Sequence, residues 1–218
     1  MKYKAVVFDM DGTLLDTLDD LADSMNRVLV RNHLPTHPVA AYREFVGSGV
    51  KQLVHRALPS EVRDNEGVAD ACVRGFLDEY EANWNVKTGP YAGIPELLDN
   101  LVARNMPMAV LTNKPQDFAD LCMQRFLGNW PFAVTMGQVP GVPVKPDPAG
   151  TWRLIERLAV RPEEIAYLGD TDVDMHTAVN AGMFPVGVLW GFRSEGELLD
   201  SGAAAIIGHP LDVLRLLD

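Results

Sequence analysis

Two aspartates one residue apart, Asp9 and Asp11, follow directly after the apolar run of residues 5–8. Such a run predicts a buried strand, whose end delivers the next residues to the edge of a sheet. Beyond the end of the strand, side chains no longer alternate between the two faces of the sheet. The carboxylates of Asp9 and Asp11 could therefore both face the same point. Adjacent carboxylates repel each other unless a cation lies between them or one holds a proton. The segment therefore indicates a metal site, an acid/base pair or both, the alternative being a plain Asp-Gly turn.

Two further polar groups follow predicted strands. Thr112-Asn113 comes after the run of residues 108–111, and Asp170 comes after residues 165–169. The carboxyl ends of parallel strands share one edge of a sheet, so we expect these groups to lie near Asp9. Thr112-Asn113 could instead start a helix ahead of Pro115.

Lys145 and Asp174 each allow a second interpretation. Lys145 lies in a Pro-rich stretch, residues 144–148, where it could be a solvated surface lysine. Thr171 and Asp174 match a capping box, so Asp174 could serve the helix, a metal site or both.

Together these groups are suited to phosphoryl transfer. Mg²⁺ is usually held by one or two carboxylates plus phosphate oxygens, and Asp9 and Asp170 could supply the carboxylates. The metal ion and one lysine would offset the charge that makes a phosphate ester repel nucleophiles. Hydroxyl and amide donors from Thr112-Asn113 would fix the phosphate oxygens. A carboxylate nucleophile would form an aspartyl-phosphate, while a second carboxyl would donate a proton to the leaving oxygen and later accept one from water.

The pattern of the chain predicts the elements that position these groups. Short buried runs at residues 4–8, 107–111, 132–136, 165–169 and 185–189, and a weaker one at 203–207, alternate mostly with helical patterns. One of these helices is expected over residues 172–181, and another on the stripe of Trp152, Ile155 and Leu158. The alternation predicts an α/β fold with a doubly wound parallel sheet and right-handed crossovers.

Residues 16–84 interrupt that rhythm. They hold no convincing strand but several helical stripes, and residues 87–90 resemble a return linker. We therefore expect an all-helical insert at residues 16–87, within a core domain made of residues 1–15 and 88–218.

Composition narrows the function classes. The 218-residue chain has a net charge of −11, which argues against nucleic-acid and anionic-membrane partners. No apolar stretch approaches the ~20 residues of a membrane helix. The first residues are predicted to lead straight into a strand, so we expect no signal peptide. Cys72 and Cys122 are too few for a disulfide framework. We expect a cytoplasmic protein, monomeric or homodimeric, that acts on a small molecule.

Four motifs in this order resemble those of the haloacid dehalogenase (HAD) superfamily of phosphatases, over the full length of the chain. They are Asp9-Met-Asp11-Gly-Thr13-Leu-Leu-Asp16, Leu111-Thr112-Asn113, Lys145-Pro-Asp-Pro and Gly169-Asp170-Thr171-Asp172-Val173-Asp174. The resemblance implies a Rossmann-like core, in which the helical insert is a mobile cap.

The resemblance also implies a role for each matched residue. Asp9 would be the nucleophile and Asp11 the general acid and base, with Lys145 as the third catalytic group. Mg²⁺ would be held by Asp9, the backbone carbonyl of Asp11 and Asp170, with outer support from Asp174 and Thr171. The phosphate group would be bound by Thr112, Asn113, Lys145 and Gly12.

Within the superfamily the chain is most similar to phosphoglycolate phosphatases, through residues 11–17, 45–49, 111–115 and 167–183. This implies hydrolysis of 2-phosphoglycolate to glycolate. The alternatives are a phosphatase for another sugar phosphate or pyrophosphate, and an isomerase of the β-phosphoglucomutase type. A non-catalytic binding protein on this fold would have no need of the full set of groups. The cap should select the substrate, and Lys51 could contact a substrate carboxylate, although Gly47-Ser48-Gly49 beside it reads more simply as a turn.

Overall fold

The computed structural model describes residues 2–217. They form two compact units. One, the core unit, holds the residues up to Asp16 and from Pro90 onwards, and the other, the helical unit, is Thr17–Gly89. None of the helices within residues 2–217 is both long and apolar enough to span a bilayer.

The strands in this range are β1 (Ala5–Phe8), β2 (Leu15–Asp16), β3 (Gly89–Pro90), β4 (Met108–Pro115), β5 (Phe132–Gln138), β6 (Ile165–Gly169), β7 (Phe184–Val188) and β8 (Ala205–Ile207). Six of them form one sheet in the order β5-β4-β1-β6-β7-β8, and every neighbouring pair is parallel. The chain runs outwards from β1 first on one side and then on the other. The predicted doubly wound parallel sheet is therefore confirmed.

The helices are α1 (Leu18–Arg31), α2 (Tyr42–Phe45), α3 (Val50–Ala57), α4 (Ser60–Arg63), α5 (Glu66–Asn83), α6 (Ile94–Ala103), α7 (Gln116–Cys122), α8 (Pro148–Leu158), α9 (Asp172–Ala181), α10 (Glu195–Asp200) and α11 (Val213–Leu217). A π-helical segment, Met123–Leu127, continues α7, and 3-10 turns occupy Val39–Ala41, Pro162–Glu164 and Pro210–Asp212. Helices α1–α5 lie in the helical unit, so the insert is all-helical as predicted.

The hydrophobic core of the core unit follows the alternation of its strands. Ala5 and Val7 of β1 pack in one cluster with Leu154 of α8 and Ala178 of α9, and this cluster also contains Tyr167 of β6. Strand side chains alternate between the two faces of a sheet, so the other residues of β1 point to the opposite face. All of them are buried, which is typical of a parallel sheet covered on both sides.

In the helical unit, α1 packs on α5 through an apolar stripe. Asp20, in the first turn of α1, is only 2% exposed. Its carboxylate accepts bonds from the backbone N–H groups of Lys87 and Thr88, both 2.9 Å long, and from the Thr88 hydroxyl at 2.8 Å. This buried acceptor ties the beginning of the unit to its end.

The structure departs from the predicted elements at two places in the core unit. β4 does not end at Leu111 but continues to Pro115, with a shift of register against β5 after Leu111. Trp152, predicted to lie on the buried stripe of α8, is 48% exposed, because Thr151, Leu154 and Ile155 form the buried face instead.

Candidate active site

The candidate site lies where the strand order reverses. β1 is flanked by β4 and β6, and ligands of open parallel sheets bind at the carboxyl ends of strands at such a point. Asp9 follows β1, and its backbone N–H donates to Leu168 of β6 over 2.9 Å. Asp170 follows β6, and Thr112-Asn113 lies in the irregular last part of β4. The fold thus brings sequence-distant polar groups to one edge.

Three buried aspartates form an acidic cluster. Asp9, Asp170 and Asp174 each offer a carboxylate oxygen, and these oxygens lie within 4.8 Å of one another. Asp174, predicted only as outer support, is a full member of the cluster. The carboxylate of Asp11 does not belong to it. The Asp11 backbone carbonyl, which the resemblance named as the ligand, stays a prediction.

The electrostatics of the acidic cluster favour protons or a cation. Burial, followed by repulsion from Asp174, raises the pKa of Asp9 to about 7, against the opposing effect of Lys145. Burial and the two neighbouring carboxylates also raise the pKa of Asp170 well above its usual range. Three buried carboxylates beside one ammonium thus leave negative charge that needs a partner.

Lys145 supplies that ammonium and is itself 6% exposed. Its Nζ donates to Asp9 Oδ1 at 2.8 Å and to Asp174 Oδ1 at 2.7 Å. It also lies 3.0 Å from both the Tyr167 hydroxyl and the Leu111 carbonyl. Burial alone lowers the pKa of Lys145, but attraction to Asp174 and Asp9 raises it well above its usual range. Lys145 is therefore a fixed positive charge beside Asp9, not a solvated surface lysine.

Asp174 serves the helix and the cluster at once. The Thr171 hydroxyl and N–H both donate to Asp174 Oδ2, at 2.7 and 3.1 Å, and the Asp174 N–H points back to the Thr171 hydroxyl. This is a complete capping box at the start of α9. Oδ1 of the same carboxylate faces Lys145. Thr171 therefore acts on the site by orienting Asp174.

Asp170 is held by two donors. The Thr13 hydroxyl donates to its Oδ1 at 2.8 Å, and the Phe192 backbone N–H donates to its Oδ2 at 2.9 Å. The segment before Phe192 is also anchored, since the Trp190 indole N–H donates to the Thr13 carbonyl at 2.9 Å. The loop after β7 thus helps to orient the Asp170 carboxylate.

Asp11 pairs with a residue to which the sequence assigned no role. Lys114 Nζ donates to Asp11 Oδ1 at 2.9 Å, and the Lys114 side chain is 2% exposed, against 13% for Asp11. Lys114 lies in the part of β4 beyond Leu111. Asp9 and Asp11 thus have separate ammonium partners, Lys145 and Lys114.

Gly12 has a structural reason to be glycine. Its φ of 89° lies in the left-handed region, and a Cβ would overlap the Asp170 carboxylate. Its N–H donates to the Leu15 carbonyl at 2.9 Å, which closes the turn after Asp11. Phosphate binding by Gly12 stays a prediction.

Two more glycines border the acidic cluster in the same way. A Cβ on Gly191 would overlap Asp170 and the Gly12 carbonyl, and a Cβ on Gly169 would overlap Asp174. Backbone therefore packs directly against the acids.

Thr112 and Asn113 shape the phosphate side of the predicted site. The Thr112 hydroxyl accepts from the Lys114 N–H at 3.2 Å. The Asn113 side chain is bonded to the main chain of Lys145 as acceptor at 2.8 Å and as donor at 3.1 Å. Both residues are buried, at 4% and 6% exposed. Their predicted contact with phosphate stays a prediction, and the amide of Asn113 has the further task of holding Lys145.

Sequence reasoning gave no role to several groups that shape this site: Thr13, Lys114, Tyr167, Trp190, Gly191 and Phe192. Lys114 could have been found, because it directly follows Thr112-Asn113 in the same strand-end motif. Phe192 could not have been found, because it holds Asp170 through its backbone N–H, which every residue type except proline has.

The donor set fits a hard divalent cation. Buried carboxylate oxygens within 4.8 Å of one another are the ligands that Mg²⁺ and similar ions prefer, and a cation would relieve the repulsion that raises the pKa of Asp9. Lys145 bonds Asp9 as well as Asp174, so these contacts do not single out the ligands. The assignment of Asp9 and Asp170 as ligands stays a prediction.

Comparison with known families shows what the chain is similar to. The family model for haloacid dehalogenase-like hydrolases matches residues 6–188. A phosphoglycolate phosphatase of Psychrobacter arcticus is 32% identical over 198 residues, which cover 88% of this chain and 86% of the relative. An N-acetylmuramic acid 6-phosphate phosphatase of Pseudomonas aeruginosa is 31% identical and aligns with 100% of this chain and 96% of its own.

Among solved structures, a protein of Lactobacillus delbrueckii subsp. bulgaricus, provisionally named a phosphoglycolate phosphatase, has a TM-score of 0.93. It is 29% identical, and the match covers 100% of this chain and 99% of that one. A counterpart from Haemophilus somnus, also provisionally named, has a TM-score of 0.90 at 27% identity.

Proposed function

Since the chain belongs to the haloacid dehalogenase-like hydrolase family, we propose that it is a Mg²⁺-dependent phosphatase that forms an aspartyl-phosphate on Asp9. Its reaction is the hydrolysis of a phosphoric monoester. The observation that carries the proposal is the contact of Lys145 with both Asp9 and Asp174, beside Asp170. The first candidate substrate is 2-phosphoglycolate, because several phosphatases of that name match the chain along most of its length.

In the first step, a carboxylate oxygen of Asp9 attacks phosphorus and the bond to the ester oxygen breaks. Lys145, fixed at 2.8 Å from Asp9, stabilises the charge that accumulates on the phosphoryl group. Asp11 gives its proton to the leaving oxygen, so the alcohol departs neutral. When bound at Asp9 and Asp170, Mg²⁺ would supply charge neutralisation for the phosphoryl oxygens.

In the second step, Asp11 is a carboxylate and takes a proton from water. The resulting oxygen attacks phosphorus, the bond to Asp9 breaks, and inorganic phosphate leaves. Asp9 returns as a carboxylate and Asp11 as an acid, so the cycle closes without another reagent. Thr112 and Asn113 are proposed to hold the phosphate oxygens through both steps.

The helical unit Thr17–Gly89 is proposed to act as a cap that selects the substrate and excludes water. In support, the residues that the resemblance assigns to the phosphoryl centre all lie in the core unit, and the helical unit holds none of them. A cytoplasmic location is also proposed, in line with the buried free thiols of Cys72 and Cys122.

A second candidate substrate is N-acetylmuramic acid 6-phosphate. The Pseudomonas aeruginosa phosphatase of that name aligns with the chain from end to end. The two candidates differ in size and in the distance from carboxylate to ester oxygen, so one assay panel separates them.

The test is phosphate release from a panel of esters by the full chain after metal removal and after addition of Mg²⁺. The panel holds p-nitrophenyl phosphate, 2-phosphoglycolate, N-acetylmuramic acid 6-phosphate, pyrophosphate and glucose 1-phosphate, and Asp9→Asn is the inactive control. We expect release to need Mg²⁺ and 2-phosphoglycolate to be turned over with the highest kcat/KM. Release that chelation leaves unchanged, or isomerisation of glucose phosphate that outruns every hydrolysis, contradicts the proposal.

A further inference from the structure

Lys114 and Lys145 are the two lysines buried within residues 2–217, at 5% and 6% exposed. Each is bonded to one of the two aspartates of the proposed reaction. Lys145 contacts Asp9, which attacks, and Lys114 contacts Asp11, which serves the leaving oxygen. Burying an ammonium is costly, so a second one at this site needs a reason of its own.

The backbone of Lys114 is fixed by contacts at the end of β4. Its N–H donates to the Thr112 hydroxyl, and the next turn is fixed by the Gln116 side chain, which accepts from the Gly137 N–H at 2.7 Å. A Cβ on Gly137 would come within 2.8 Å of the Lys114 carbonyl, so β5 packs closely on this segment. With its backbone fixed, its side chain 2% exposed and its Nζ bonded to Asp11, Lys114 holds its ammonium beside that carboxylate.

Building on the proposed function, we propose that Lys114 selects esters whose leaving group carries a carboxylate next to the ester carbon. Asp11 must lie within hydrogen-bond reach of the leaving oxygen, about 3 Å, and Lys114 is bonded to the same carboxyl. A lysine ammonium is a compact positive charge that attracts a carboxylate brought close to it. The positive charge of Lys114 thus lies on the leaving-group side of the phosphoryl centre.

A carboxylate on the ester carbon fits this placement. In 2-phosphoglycolate the carboxylate carbon is two bonds from the ester oxygen, a separation of about 2.5 Å. Its oxygens therefore reach the region around Asp11 that the ammonium occupies. A carboxylate many bonds away, as in N-acetylmuramic acid 6-phosphate, is not held there by the covalent structure. Lys114 therefore favours short α-carboxylated alcohols as leaving groups.

The experiment compares 2-phosphoglycolate with 2-hydroxyethyl phosphate, which has a hydroxymethyl group in place of the carboxylate. Lys114→Met should lower kcat/KM for 2-phosphoglycolate by about 10- to 100-fold more than for 2-hydroxyethyl phosphate, mainly through KM. Lys114→Arg keeps the charge and should restore part of the preference. Lys4→Met is the matched control, since Lys4 is an exposed lysine of the same unit, with a side chain 62% exposed.

Equal losses on the two esters would mean that Lys114 only positions Asp11 and would overturn the inference. If Lys114→Met does not fold, the wild-type protein still decides, because it must prefer 2-phosphoglycolate to 2-hydroxyethyl phosphate by at least about 10-fold. Absence of that preference, with p-nitrophenyl phosphate hydrolysed normally, overturns the inference and leaves the proposed function standing. Failure to release phosphate from every ester would instead count against the proposed function.

Discussion

Asn113 and Lys145 are joined by a reciprocal pair of hydrogen bonds: the Asn113 side chain accepts from the Lys145 N–H at 2.8 Å and donates to its carbonyl at 3.1 Å. Both residues are buried. The last part of β4 therefore fixes the loop that delivers the Lys145 ammonium to Asp9.

Asn113→Ala should lower turnover by about 10- to 100-fold, because it leaves two buried backbone groups of Lys145 without partners, at about 1–3 kcal/mol each. The measurement is kcat on p-nitrophenyl phosphate together with urea unfolding. Asn100→Ala is the control, since Asn100 makes an exposed bond within α6. Wild-type turnover in Asn113→Ala would show that Lys145 is held by other contacts.

Without metal, the protein should lose stability as pH rises from about 4 to about 7. The pKa of Asp9 is raised from 3.8 to about 7 in the folded state. Between these two values Asp9 holds a proton in the folded protein but is ionised in the unfolded chain, so a rise in pH lowers the free energy of unfolding. Asp9→Asn should remove this component. The measurement is urea unfolding in EDTA at pH 5 and pH 8, where the variant should gain stability over wild type only at the higher pH.

Added Mg²⁺ provides the second arm of that experiment. It should stabilise wild type at pH 8 and have a much smaller effect on Asp9→Asn, because the variant has lost a charged ligand. If wild type and Asp9→Asn differed in unfolding free energy by the same amount at pH 5 and at pH 8, the electrostatic explanation would be contradicted.

Asp11→Asn should separate the two chemical steps. An aryl phosphate has a good leaving group, so the first step should survive while hydrolysis of the aspartyl-phosphate slows by about 100-fold or more. Rapid-quench kinetics with p-nitrophenyl phosphate should then show a burst of one nitrophenol per active site. Asp9→Asn should show neither burst nor turnover. Steady turnover of Asp11→Asn at a near wild-type rate on aryl and alkyl esters would reject the assignment.

Gly191→Ala should weaken metal binding. The added Cβ would overlap Asp170 and the Gly12 carbonyl, so the carboxylate must move. We expect the Mg²⁺ affinity, measured by calorimetry, to fall at least about 10-fold, as it does when groups that orient a ligand are lost. Gly196→Ala is the matched control, because Gly196 lies in α10 with open space around it. It should leave the affinity unchanged, and an equal effect of the two variants would refute the steric argument.

Asp20→Asn should destabilise the helical unit by about 2–3 kcal/mol, because the buried carboxylate accepts bonds from Lys87 and Thr88 that an amide replaces poorly. Unfolding of the full chain, followed by circular dichroism, measures the loss. Asp19→Asn changes a neighbouring, half-exposed acid 3.7 Å from the Lys87 ammonium and should cost less than about 1 kcal/mol. Similar costs for both variants would argue against a special role for Asp20.

The sequence was sufficient for the fold because its periodic signals were strong. The apolar runs that predicted the six strands of the sheet are found in it, and α9 begins and ends where Asp172 and Gly182 indicated. Trp152 was misplaced because residue type alone does not say which of two overlapping stripes on a helix faces the sheet. The end of β4 was set too early, since polar residues in a bulged strand resemble the start of a loop.

The site was less predictable, because its details depend on contacts between distant residues. A strand-end position suggested that Asp9 and Asp170 would meet, and they do. The same reasoning could not show that Lys145 bonds Asp174 as well as Asp9. Because Lys145 is the ammonium between two buried carboxylates, its removal should lower folding stability as well as the reaction rate. Nor could the sequence show that Lys114 folds back onto Asp11 or that a backbone N–H of Phe192 orients Asp170.

The three glycines around the acidic cluster also dictate how long its acids can be. Gly12 and Gly191 bring main chain against Asp170, and Gly169 does the same for Asp174. A glutamate in place of either acid carries one more methylene, and the main chain packed beside it cannot rotate aside as a side chain can. Its carboxylate would therefore be displaced from the donors that hold the aspartate. The surrounding main chain therefore favours aspartate over glutamate at both positions, although the chemistry of the two carboxylates is the same.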